Sequence, residues 1–227
     1  MIDIATIAFN TPWVIEEQIR LIGKYVTDEH ELSVYDNSSK MDVGWQIGKL
    51  CEAAGIRYVM SPTKQQKHTH ESALKHACDD LLNRQAPFIC FLDHDVFPTA
   101  PVSLEALAAN GVFGVQQSCT AGTYLWPGLL VIRRSWLDGR PRLNLGSVPG
   151  GDVGSALTAI LTQDDLDSIP LVDYGYEPVM DPDDRATQAW TVERIGSFRH
   201  LTNASNWLAL PNFHARERAV RTLVEAL

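Results

Sequence analysis

Four short apolar runs, at residues 2–9, 32–35, 56–60 and 88–92, alternate with segments whose apolar residues recur every three or four positions. This alternation leaves the chain few choices. Strands joined by helical crossovers build a mixed, mainly parallel α/β sheet, covered by helices on both faces. The first crossover opens at Asn10-Thr11-Pro12, which places Thr11 as N-cap and Pro12 at the first helical position. Ile15, Ile19, Ile22 and Val26 then line one apolar face. A second helix is expected from about Val43 to Ala54, stopped by Gly55. A third is marked by Leu74, Ala77, Cys78, Leu81 and Leu82.

The second half is less regular. A short helix is expected at 103–110, strands at 112–116 and 128–133, and a helix carrying Val153, Leu157, Ile160 and Leu161 after Pro149-Gly150-Gly151-Asp152. Acidic loops at 164–167 and 181–184 flank a weak strand at 170–174, and an amphipathic tail begins near Asn212 with Val220, Leu223, Val224 and Leu227 inward. Without an internal repeat or a linker, one domain over 1–227 is expected, with halves at 1–100 and 101–227.

Composition narrows the function classes. The net charge of −9 argues against a general nucleic-acid or anionic-membrane surface. Cys51, Cys78, Cys90 and Cys119 form no Cys-x-x-Cys pair and read as reduced thiols. The chain opens directly into a strand, without the basic stretch and apolar run of a signal peptide, so a cytoplasmic location is expected. No segment approaches the roughly 18 apolar residues that span a bilayer.

The fourth run ends in Asp93-His94-Asp95. Side chains alternate along a strand, so both carboxylates point the same way where the strand leaves the sheet. Two carboxylates so close repel unless a proton or a cation sits between them. Hard divalent cations that keep waters and share ligands with phosphate suit this pair. In such sheets ligands bind at the carboxyl ends of the strands. Those ends carry Phe9, Asn10 and Thr11, Asp36, Asn37 and Ser38, Ser61, and the Asp93/Asp95 pair. Neither Gly-x-Gly-x-x-Gly nor a P-loop is present, so a phosphorylated ligand would be held mainly through a metal.

The first 100 residues resemble the nucleotide-binding half of a GT-A glycosyltransferase of the broad family 2-like group. The resemblance is carried by the stretches 5–12, 34–39 and 91–98, which read ATIAFNTP, VYDNSS and FLDHDVFP. It implies a GT-A, Rossmann-like fold and transfer of a sugar from a nucleotide diphosphate sugar, UDP-sugar favoured, to an acceptor hydroxyl. Phe9 and Asn10 would line the nucleoside pocket, and Asp36 would accept a hydrogen bond from the base. Asp93 and Asp95 would position Mn²⁺ or Mg²⁺ on the diphosphate, with His94 and His70 beside it. Asp152, in the Gly-Gly-acid turn, would be the base that deprotonates the acceptor in an inverting reaction. His200, in the late segment that continues to Ser205-Asn206-Trp207, would complete the metal shell. The family often has a second acidic residue beside the base, where this chain has Val153.

Plainer roles stand beside these. Asp36 suits an Asx-turn, and Asp152 suits a helix cap. His68 and His70 form a His-x-His pair of the kind that binds zinc in hydrolases, but they flank Thr69, a cap for the third helix. Lys64 is a second candidate phosphate contact. Trp126 is either a sugar platform or packing, and Asp181 to Asp184 a solvated loop. Two other functions fit the motif: a haloacid dehalogenase-type phosphatase using Asp93 and Asp95 as nucleophile and acid/base, and a non-catalytic nucleotide- or carbohydrate-binding module.

Overall fold

β1 (Ile2–Ala8) is buried at every position, as a strand covered on both faces must be. The computed structural model of the chain describes residues 1–60, 70–181, 183, 188–202 and 213–227. It divides into two compact units that interleave along the sequence rather than meeting at residue 100. The first holds Met1–Asn10, Thr27–Asp93 and Ser103–Pro170; the second holds Thr11–Val26, His94–Val102 and Leu171–Leu227.

Unit 1 is built on a six-stranded sheet. Besides β1 it contains β2 (His30–Asp36), β3 (Arg57–Met60), β4 (Phe88–Asp93), β6 (Val112–Cys119) and β7 (Gly122–Arg133), in the order β3-β2-β1-β4-β7-β6. The pairs β2–β3, β1–β2 and β1–β4 are parallel, while β7 is antiparallel to both neighbours. β7 is therefore the single reversed strand, and the sheet is mixed and mainly parallel, as the alternation predicts. Helices α2 (Met41–Ala53) and α3 (His70–Leu82) pack on it, burying Ile47 and Cys51 from the first and Leu74, Ala77 and Leu81 from the second.

Several expectations for this unit change. β7 begins at Gly122, not 128, because its first part forms a hairpin with β6 (Cys119 opposite Gly122). The register slips at Gly114/Val115, which leaves Pro127 beside a bulge where its missing N–H breaks no ladder. The helix after Asp152 is only a 3₁₀ turn, Ser155–Ala159, entered through left-handed Gly154. The acidic stretch expected as a loop at 164–167 is the helix α5 (Gln163–Ser168), closed by a Thr162–Asp165 capping box. The helix expected at 103–110 is trimmed to α4 (Leu104–Leu107), with Ser103 accepting from the Ala106 N–H.

Unit 2 combines a four-stranded sheet with α1 (Pro12–Tyr25) and α6 (Phe213–Glu225). Its strands are β5 (Val96–Pro98), β8 (Tyr174–Met180), β9 (Gln188–Ile195) and β10 (Phe198–His200), in the order β5-β10-β9-β8, all antiparallel. The weak strand expected at 170–174 lies instead at β8. α1 starts as expected, with Thr11 at the cap and Pro12 in the first turn. Val14 and Leu21 from α1, Phe97, Val192 and Leu201 from the sheet region, and Val220 and Val224 from α6 form one core. Each such side chain contributes roughly 1.5–3 kcal/mol on burial. No helix among the described residues is long and apolar enough to cross a membrane.

Two ion-pair clusters brace unit 1. Asp80 accepts from Arg57 (2.7 Å), Arg84 (2.9 Å) and the Tyr35 hydroxyl. Asp165 accepts from Trp136 Nε1 (2.7 Å), from both terminal nitrogens of Arg140 (2.8 and 3.0 Å) and from the Thr162 N–H (2.8 Å). Burial would raise both carboxyls, but these donors outweigh it and bring each down to about 2. The folded value thus lies below the unfolded one, near 3.9. The stabilisation is complete above that unfolded value and disappears as pH falls through the folded one. Unfolding free energies from urea titration are expected to hold from pH 7 to about 4, then fall by about 2 kcal/mol per carboxyl by pH 2, with the midpoint falling in step. A midpoint unchanged between pH 4 and 2 would contradict this.

Candidate active site

The parallel register brings three polar strand ends to one edge of the unit 1 sheet. Ala8 pairs with Asp36, and Ile7 pairs with Asp93, so the segments after β1, β2 and β4 leave the sheet side by side. Asn10 takes a left-handed backbone (φ 54°), which Asn tolerates better than most residues. Its N–H donates to Ser38 Oγ (3.0 Å) and its amide group bonds Ser39 (Ser39 N–H to Oδ1, 3.1 Å), tying the β1 end to the loop after β2. Phe9 is half-buried at the same edge.

Asp36 is fully buried, with Oδ1 accepting from the Ser38 N–H (2.8 Å) and Oδ2 from the Tyr58 hydroxyl (2.6 Å). That is the Asx-turn arrangement. In this structure Asp36 builds the turn at that sheet edge, and both its oxygens are engaged within the protein. Tyr58, which burial first and Asp36 second push up in pKa, is a supporting residue the sequence reading missed. Nothing in its own neighbourhood of the sequence marks it; only the β2–β3 pairing brings it to Asp36.

Asp93 closes β4, and His70, the first residue of α3, places Nε2 3.3 Å from Asp93 Oδ1. These two predicted residues do come together. Asp152 stands exposed on its turn, with Oδ1 accepting from the Val153 N–H (2.7 Å). It caps no helix, since that position belongs to Gly154. Trp126 rests on Gly128, where an added Cβ would stand 2.0 Å from the ring, so its contact here is one of packing. Ser61, Lys64, His68 and Thr69, and Ser205, Asn206 and Trp207, lie outside the described residues, as do Pro182 and Asp184.

In unit 2, His94 and Asp95 are buried, and the His94 Nε2 has no hydrogen-bond partner among the described residues. His200 Nε2 faces Asp95 Oδ1 at 3.6 Å. That is too long for a hydrogen bond and close to the spacing of two ligands around one cation. His200 Nδ1 lies 2.7 Å from Glu193 Oε2. This hydrogen bond, against the smaller opposing effect of burial, holds the Glu193 carboxyl below its usual range. Carboxylate plus imidazole is a donor set that suits Mn²⁺. Among the described residues no group of three or more His, Cys, Asp or Glu makes a closed ion cage. A cation that keeps waters and shares phosphate oxygens needs no such cage.

No protein-family model matches the sequence, and no curated protein matches it. Solved structures do align. A mannosyltransferase from Pyrobaculum calidifontis in complex with GDP-Man and Mn²⁺ is 16% identical over 66% of this chain and 49% of its own, with a TM-score of 0.47. Glucosyl-3-phosphoglycerate synthase from Mycobacterium tuberculosis is 18% identical over 60% of this chain and 57% of its own, with a TM-score of 0.43. S. aureus TarS, residues 1–349, is 16% identical over 62% of this chain and 50% of its own, with a TM-score of 0.42. The matched region spans about half the length of each of these proteins. At TM-scores below 0.5 they assign no residue a role here.

Proposed function

We propose that the chain is a divalent-metal-dependent glycosyltransferase of GT-A type, moving a sugar from a nucleotide diphosphate sugar, UDP-sugar favoured, to an acceptor hydroxyl. The observation that carries this reading is the buried Asp95 carboxylate set 3.6 Å from the His200 imidazole, directly after the Asp93 strand end. Asp95 and His200 would hold Mn²⁺ or Mg²⁺, with Asp93, the strand end two residues before Asp95, as the other acid of the motif. When bound, the metal neutralises charge on the departing diphosphate. Asn10 and the Asp36-supported turn shape the edge where the nucleoside lies, with Phe9 beside them. His70, held against Asp93, offers a donor to the diphosphate, and His94 stands between the two acids in the chain. Asp152, exposed on its turn, takes the proton from the acceptor hydroxyl as its oxygen attacks the anomeric carbon, giving inversion.

The test is thermal stabilisation of the protein by UDP, GDP, CDP and TDP, each with and without Mn²⁺. A nucleotide at about 100 times its Kd adds roughly 2.7 kcal/mol, worth a Tm rise of roughly 5–10 °C. A metal-dependent rise with one nucleotide is expected and would name the donor class. No rise with any nucleotide, but one with Mg²⁺ and a phosphate mimic, would replace this reading with the phosphatase one.

A further inference from the structure

The sheet of unit 2 carries a polar row that the proposed reaction does not by itself require. β9 and β10 are joined by a two-residue turn at Gly196-Ser197, where Gly196 takes a positive φ of 55°. Such a turn locks register. Ile195 then faces Phe198, and Glu193 faces His200. On the other side β8 sets Tyr176 opposite Glu193, and β5 sets Val96 opposite His200. Residues directly opposite in adjacent strands project from the same face. Tyr176, Glu193 and His200 therefore form one cross-strand row that ends beside Asp95. The ladder is prolonged there by the Leu201 N–H donating to the Asp95 carbonyl (2.8 Å).

Hydrogen bonds run along this row. Glu193 Oε2 meets His200 Nδ1 at 2.7 Å, and Oε1 accepts from the Tyr174 hydroxyl at 3.2 Å. The Tyr174 and Tyr176 hydroxyls are 3.1 Å apart. A carboxylate can only accept, so the proton of this bond sits on Nδ1. A neutral imidazole with Nδ1–H presents its lone pair at Nε2, and Nε2 is the atom turned to Asp95. The exposed tyrosines act at the far end. They occupy the oxygen of Glu193 that His200 does not use, which limits rotation of the carboxylate.

We propose that Glu193 is the positioning residue for a metal ligand: it fixes the tautomer and ring orientation of His200 so that Nε2 and Asp95 address one divalent cation, with Tyr174 steadying Glu193. This rests on the metal-dependent reading above and adds a residue to it. Outer-shell carboxylates of this kind orient histidine ligands in metal sites generally, and their loss lowers metal affinity about 10–100-fold.

The experiment is titration of the full chain with MnCl₂ alone, followed by electron paramagnetic resonance, for wild type, Glu193→Ala, Glu193→Gln, His200→Ala, Asp95→Asn and Glu193→Ala/His200→Ala. Glu193→Ala is expected to weaken Mn²⁺ binding about 10–100-fold. Glu193→Gln keeps an acceptor for Nδ1–H and is expected to stay within a few-fold of wild type. The double variant should bind no more weakly than His200→Ala, because residues acting as a unit are not additive. Imidazole ¹⁵N spectra of the metal-free protein should show Nδ1 of His200 protonated. Wild-type affinity in Glu193→Ala, with His200→Ala and Asp95→Asn both impaired, would overturn the role of Glu193 and leave the metal reading standing. Equal losses in Glu193→Gln and Glu193→Ala, or an Nε2–H tautomer in the metal-free protein, would also overturn it. Wild-type affinity in both His200→Ala and Asp95→Asn would overturn the metal reading and the inference together.

Discussion

Asp95→Asn is expected to lower metal-dependent release of nucleoside diphosphate from a sugar nucleotide by about 10³-fold. The substitution keeps the shape of a buried side chain and leaves the backbone bond from Leu201 in place. What it removes is one formal negative charge and a carboxylate oxygen facing His200. A Lewis-acid cation on a departing phosphate supplies several kcal/mol, and about 4 kcal/mol corresponds to a thousandfold in rate. Chelation of the wild-type protein is expected to produce a loss of similar size, and the variant is expected to be indifferent to chelator. Rates would be read as coupled nucleotide release with and without Mn²⁺. An Asp95→Asn protein that kept a tenth of wild-type, metal-stimulated turnover would remove Asp95 from the catalytic apparatus.

Asp165→Ala is expected to destabilise the protein by about 3–5 kcal/mol, the range for breaking one side of a buried ion pair. Its removal leaves Trp136 Nε1, the Arg140 guanidinium and the Thr162 N–H without their carboxylate, and it undoes the capping box of α5. Arg140 also stacks on the Trp136 ring, 4.1 Å from its centroid, so losing the anchor loosens an aromatic contact as well. For a chain of this size the change lowers Tm by roughly 10 °C. Asp164→Ala, on the exposed side of the same short helix, should stay within about 0.5 kcal/mol. Calorimetry of the two variants side by side checks this, and equal melting points would show that Asp165 is no more important than its neighbour.

The fold was legible where local signals agreed. The alternation of apolar runs with helical periodicity predicted β1, α1, α2, α3 and β4, because strands buried on both faces read as continuous apolar runs whatever else surrounds them. It also placed Asn10, Asp36 and Asp93 at strand ends on one edge, which the parallel register then aligned. The second half was harder. There the strands are antiparallel, one carries a proline beside a bulge, and the 155–159 segment has apolar spacing without forming an α-helix. Spacing of that kind describes a buried face, and it does not say how the backbone reaches it.

By itself, the sequence determined that the fourth buried run ends at Asp93; the alternation of side chains extends no further, because Asp95 lies in the turn between β4 and β5. It also held a subtler signal: Gly196-Ser197 between alternating strands sets a two-residue hairpin, and counting back puts Glu193 opposite His200. Only the tertiary structure decided which partners those groups meet. Tyr58 reaches Asp36 and His70 reaches Asp93 across strands and helices distant in the chain. Tyr174 reaches Glu193 from another strand in the same way. Hydrogen bonds act over about 3 Å, and residues far apart in sequence come that close only after the sheets have paired and the apolar faces are buried.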